Sequence, residues 1–198
     1  MSPLAPDAAA ANAARTIALQ MLEERGRGAV LVGVARVDAA LEHLLQALMA
    51  PGPSKADGLF LPDRPLGSLW AKVALARRLG LIDAPVERAL SVLRKLRNAF
   101  AHSAESASFN DPVHSARLAE IYAAARANPL WAPLEAALAA QPPSARGPLE
   151  PALREYILLI TILVAFLEAT AQQLRPYRPP VVMGFAGIRR VVSTPADS

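Results

Sequence analysis

Hydrophobic and polar positions recur with helical period along most of this chain. Over residues 86–102, Val86, Ala89, Leu90, Leu93, Leu96 and Phe100 fall within one arc about 120° wide at about 100° per residue. This spacing predicts a helix with one buried stripe. Pro85 suits its first turn, Asp83 its N-cap, and its end falls near Ser103. A second stripe runs through Val30, Val34, Val37, Leu41, Leu44, Leu45 and Leu48, and Pro51-Gly52-Pro53-Ser54 stops it. An alanine-rich segment from Asp7 to about Arg25 predicts an earlier helix, with Gly26 and Gly28 breaking it from the second. Further helices are expected over residues 66–79, closed by Gly80, then over 113–127, 130–140 and 150–174. Residues 50–64 read as a loop with Leu59 and Phe60 turned back onto the core, and 141–148, holding Pro142, Pro143, Gly147 and Pro148, read as a linker. Residues 157–167 are apolar except Thr161. At about half of the roughly 20 residues needed to span a bilayer, they read as a core helix covered on all sides.

These elements predict an all-α, single-domain bundle of about six to seven helices. Its expected divisions are an alanine-rich N-terminal extension (1–26), a helical domain (27–175) and a Pro-rich basic tail (176–198) without regular structure. Within that tail, residues 181–185 can dock as an extended segment. Composition agrees: 53% of the 198 residues are hydrophobic, enough for a full core, and alanine and leucine dominate. The absence of cysteine excludes disulfides, thiolate metal sites and cysteine nucleophiles. No His/Asp/Glu spacing resembles a metal site, so no metal and no cofactor are expected. The net charge of +4 is mild, with Arg175, Arg178, Arg189 and Arg190 clustered near the C-terminus. No signal-peptide pattern or membrane span is visible, so a cytoplasmic protein with no membrane partner is expected.

Candidate chemistry concentrates at Arg97-Asn98-Ala99-Phe100-Ala101-His102. Arg97 falls inside the apolar arc, between Leu93 and Leu90. A lone buried guanidinium is costly, so it needs an acid or a bound anion. Asp38, at the edge of the second helix's stripe with Glu42 one turn on, is the expected acid, and an Arg97–Asp38 pair would tie two core helices together. Arg94, Asn98 and His102 form an adjacent polar row in which Asn98 can orient the imidazole. Arg97 and His102 lie about 140° apart, so they converge most readily across two copies of the helix. Arginine matches phosphate geometry and histidine titrates near neutrality, the requirements for cleaving a phosphodiester without metal. Lys72 either caps acids or faces a ligand, and with Arg94 it is a candidate anion or RNA contact. His43 is expected on a solvated face, His114 without partners, Arg77 and Arg78 in solvent, and Trp70 and Trp131 in the core or a groove.

Taken in order, several segments carry a resemblance. They are Arg27-Gly28-Ala29-Val30-Leu31-Val32-Gly33-Val34-Ala35, Val37-Asp38-Ala39-Ala40-Leu41, Pro65-Leu66-Gly67-Ser68-Leu69-Trp70-Ala71-Lys72-Val73, Leu79-Gly80-Leu81-Ile82 and Leu96-Arg97-Asn98-Ala99-Phe100-Ala101-His102. Over roughly residues 27–112 the chain resembles the mannitol operon repressor (MltR) family. The Arg97-to-His102 spacing also resembles the arginine–x4–histidine motif of HEPN domains, a helical superfamily that includes metal-independent endoribonucleases. The first resemblance implies a regulatory protein, here expected to act through a protein partner because no helix-turn-helix with a basic recognition helix is visible. The second implies a homodimer in which Arg97 holds a scissile phosphate, His102 acts as acid or base and Asn98 orients it, or else a non-catalytic RNA- or nucleotide-binding module.

Overall fold

Seven helices form among the residues described in the computed structural model, which are 8–24, 26–52, 57–102, 108–140 and 149–191. They are α1 (Ala8–Glu24), α2 (Gly26–Leu48), α3 (Leu69–Arg78), α4 (Ala84–His102), α5 (Pro112–Arg126), α6 (Trp131–Ala139) and α7 (Pro151–Gln173), followed by β1 (Val181–Gly184) and β2 (Gly187–Arg190). The fold is an all-α bundle. The expected 141–148 linker lies outside the described residues.

The apolar run places α7 at the centre. From Leu153 to Leu167 nearly every α7 side chain is buried, because α1 and α2 cover one side and α5 and α6 another. Its Tyr156 is fully buried and donates its hydroxyl to the Val30 carbonyl at 3.0 Å, so the phenol is satisfied within the core. Burial drives the Tyr156 phenol well above its ordinary pKa, and the Tyr122 hydroxyl nearby adds to the effect. Tyr122 itself is raised, first by burial and then by the Glu155 carboxylate.

The glycines between α1 and α2 make a reversal. Gly26 adopts φ +46°, a left-handed conformation, and α1 folds back along α2. Arg36 then reaches Gln20 at 2.9 Å, and Ile17, Ala18 and Met21 join the common core. The segment expected as an N-terminal extension is therefore a member of the bundle. Gly33 lies at the closest approach: a Cβ there would stand 2.7 Å from the Tyr156 hydroxyl and 3.0 Å from the Met21 sulfur.

α3 lies against both α2 and α4. Ser68 caps it by accepting from the Ala71 amide at 3.2 Å, and Gly80 at φ +71° ends its turn. The helix begins at Leu69 rather than at residue 66, because residues 59–67 make a tight loop. There Gly67 donates to the Arg64 carbonyl at 2.9 Å, and a Cβ on it would meet the Leu61 carbonyl oxygen at 2.3 Å. Phe60 is buried as expected, whereas Leu59 stays exposed. α4 starts as its sequence indicates, with Asp83 Oδ1 accepting from the Val86 amide at 2.9 Å. Its buried residues are Ala89, Leu90, Leu93, Leu96 and Phe100. Phe100 continues into an aromatic cluster with Phe109 and His114, so His114 has neighbours that its isolation in the sequence concealed.

In the C-terminal region the extended segment over residues 181–185 is one half of an antiparallel hairpin, β1 with β2, in the register Val181↔Arg190 to Gly184↔Gly187. The Tyr177 amide fixes its base to the end of α2 by donating to the Leu48 carbonyl at 2.7 Å.

Candidate functional site

Along the α2–α3–α4 face the charges meet in an order the helical wheel did not give. Lys72, only 2% exposed, projects from α3 toward α2. Its ammonium stands 2.8 Å from Glu42 Oε2 and 3.0 Å from Asp38 Oδ1, and 5.9 Å from the centre of the Phe60 ring. One buried cation is thus shared by two carboxylates one helical turn apart. Their side chains keep 34% and 32% exposure, so the cluster lies at the edge of the bundle. Asp38 belongs to Lys72, and the expected Arg97–Asp38 pair does not form.

Arg97 is exposed, and its Nη1 donates to Asn98 Oδ1 at 3.3 Å. α3 explains why. It runs antiparallel to α4, with Arg77 paired to Glu87 at 3.2 Å near one end and Trp70 under Arg94 near the other. α3 begins just before Trp70, so no α3 residue roofs the stripe one turn beyond Arg94. Arg97 occupies an apolar angle on the wheel at a level where that angle faces solvent. Helical periodicity fixes its angle, and the neighbouring helix decides its burial.

Arg94 packs its guanidinium over the Trp70 ring at 5.4 Å. Its Nε is buried without a hydrogen-bond partner, while the Trp70 side chain remains 47% exposed. Asn98 is half-buried and His102, the last residue of α4, is exposed. Arg27, at the start of α2, donates to the Ala101 carbonyl at 2.8 Å and satisfies one open carbonyl at the α4 terminus. Arg94, Arg97 and Asn98 therefore share one end of α4 with His102, but no hydrogen bond joins Arg97 to His102. Lys72 is held by acids and is not displayed toward solvent, so of the two anion-contact candidates only Arg94 reaches the surface.

Other expectations shift in the same way. His43 pairs with Glu168 of α7, Nδ1 to Oε2, at 2.6 Å, and so connects two helices where a free solvated ring was expected. Trp131 is buried, as expected of a core aromatic, and Trp70 is not. Arg126 pairs with Glu155. Sequence reasoning missed this role of Glu155, Glu168 and Glu87, because each pairs with a residue on another helix. Among the described residues, no group of His, Cys, Asp or Glu is arranged to hold a metal. A cavity of about 760 Å³ opens between the start of α4, α5 and α7, with an apolar floor that includes Ile121, Leu159, Leu163 and Phe166.

Fold and face together define a helical-bundle protein with an aromatic–cationic surface pair and an ion cluster at the bundle edge. No family model matches the chain, and no curated protein does. Among solved structures it is similar to a chain in the X-ray structure of the MtlR–HPr complex from Escherichia coli. The match has 19% identity and a TM-score of 0.57, covering 78% of this chain and 98% of that one. At that identity the likeness establishes a shared fold.

Proposed function

We propose that this protein is a regulatory module that works by binding another protein. The observation that carries this reading is the Trp70–Arg94 pair, an exposed indole stacked under a guanidinium. Tryptophan and arginine dominate binding hot spots, because a large ring and a planar cation gain most from being desolvated together. Here both are held in place before a partner arrives: Ser68 caps the helix that bears Trp70, and Lys72 fastens α3 to α2. Such preorganisation lowers the ordering cost of association. The structural neighbour is itself a complex with HPr, which makes HPr the first partner to test. Regulation of transcription would then follow from the partner's state, without direct reading of DNA sequence.

Trp131 is buried, so emission from Trp70 is the sensitive signal for a partner at this face. Titration with Escherichia coli HPr is expected to blue-shift that emission. Arg94→Ala should weaken binding by at least about tenfold. Saturable binding that ignores both Trp70→Ala and Arg94→Ala would remove this face from the interface.

A second reading draws on Arg97. An exposed arginine with no acidic partner among the described residues, bonded to Asn98 on the helix that ends at His102, is placed to meet a phosphate. In this reading two copies join along α4 into a homodimer. Arg97 of each then holds the scissile phosphate, and His102 moves the proton of the ribose 2′-hydroxyl or of the leaving oxygen. RNA incubated with the protein in EDTA should be cut to cyclic phosphate ends, and His102→Ala should abolish cutting with the fold intact. Intact RNA after prolonged incubation at high protein concentration excludes the activity.

A further inference from the structure

We propose that the C-terminal hairpin is a wedge that docks the protein on an anionic lipid surface. Among the described residues, no helix packs against β1 or β2. An isolated two-stranded hairpin is marginal in water, and this one displays apolar side chains to solvent. Met183 is 83% exposed, Ile188 77%, and Phe185 fully so.

The residues are sorted along the hairpin's length. Phe185 and Ala186 form the turn, closed by Gly187 at φ +119°, with Met183 opposite Ile188 just behind it. Two arginines lie at the other end: Arg190 pairs with Val181, and Arg178 precedes the first strand, while the Arg189 guanidinium reaches back along the strand to Gly184. Residues 175–191 contain four arginines and no acid. Each strand is four residues, so the hairpin is about 13 Å long. That matches an apolar tip of Phe185, Met183 and Ile188 entering about 5–10 Å below the headgroups, with Arg178 and Arg190 left at phosphate level and Arg189 flanking the wedge. Pro176, Pro179 and Pro180 stiffen the connection to α7, and the Tyr177 amide anchors it to α2.

The sorting selects the partner. A nucleic acid would engage the arginines and leave the apolar tip in water. A second copy paired along a strand edge would bring Arg189 and Arg190 near their own like charges. A lipid surface accepts both ends at once. This is contact with a surface, a mode that hydropathy along the sequence does not register. No helix among the described residues is long and apolar enough to cross a membrane.

The test is co-sedimentation of the full chain with vesicles of phosphatidylcholine alone or mixed with phosphatidylglycerol. Binding is expected to the mixed vesicles only, and to weaken as salt rises. Arg189→Gln with Arg190→Gln should lower partitioning about 25-fold, near fivefold for each charge. Phe185→Ser should lower it about tenfold or more. Because the hairpin touches no helix, these variants should keep the wild-type helical melting curve. Failure to bind mixed vesicles overturns the proposal, as does equal binding to neutral ones or binding that survives the substitutions. It is also overturned if the substitutions instead abolish a gel shift with duplex DNA or RNA, or turn a dimer into a monomer.

Discussion

Replacing Lys72 with methionine tests the centre of the α2–α3–α4 face. The substitution removes the shared ammonium, and methionine keeps most of the apolar stem, so little cavity is left. What is lost is a hydrogen bond to Glu42 at 2.8 Å and the ion pair with Asp38 at 3.0 Å. A hydrogen bond to a charged group contributes about 1.5–3 kcal/mol when its loss strands a buried partner. Here the stranded carboxylates are about one-third exposed and regain water, which places the cost near the lower end, about 1.5–2 kcal/mol. At about 2–4 °C per kcal/mol for a chain of this size, Tm should fall by about 3–8 °C in a calorimetric or circular-dichroism melt. Adding Asp38→Asn and Glu42→Gln removes the two repelling, uncompensated charges. The triple variant should recover a large part of the loss, since replacing a whole buried ion cluster is far milder than breaking it. A Tm for Lys72→Met within about 1 °C of wild type, or a triple variant less stable than the single one, would refute the shared-cation account.

Arg97→Ala should change stability by less than about 0.5 kcal/mol, because the side chain is exposed and, among the described residues, bonds only to its neighbour Asn98; a Tm loss of several degrees would show a structural partner after all. Gly67→Ala forces a methyl group onto the Leu61 carbonyl oxygen and should disturb the loop that sets the Ser68 cap, lowering Tm and shifting Trp70 emission toward that of free indole. Alkaline titration should show the cost of two buried phenols. Tyr122 and Tyr156 have raised folded pKa values, so above about pH 10 the unfolded chain releases protons that the folded one retains. Stability is full below that pH and falls with a slope of up to about 1.4 kcal/mol per pH unit for each phenol, and phenolate absorbance from these two residues should rise together with loss of helical signal.

Helix positions and the core were legible in the sequence, because period and punctuation are local properties. The stripes of α2 and α4, the Asp83 cap, the Gly80 stop and the buried run of α7 each follow from side-chain spacing within a few residues. What failed were statements about which helix covers which. The wheel gave Arg97 its correct angle but not its height relative to α3, and burial depends on both. The same neighbour decides that Asp38 meets Lys72: α3 turns its lysine onto α2, a relation between residues 30 or more positions apart. The extended run at 181–185 was legible, but its pairing with residues 187–190 was not, since two four-residue strands become a hairpin only when their register pairs them. The sequence by itself determined an all-α bundle and the residues with charge to spend. Only the tertiary structure decided which charges neutralise one another and which face outward, because that depends on where each helix begins and ends against its neighbours.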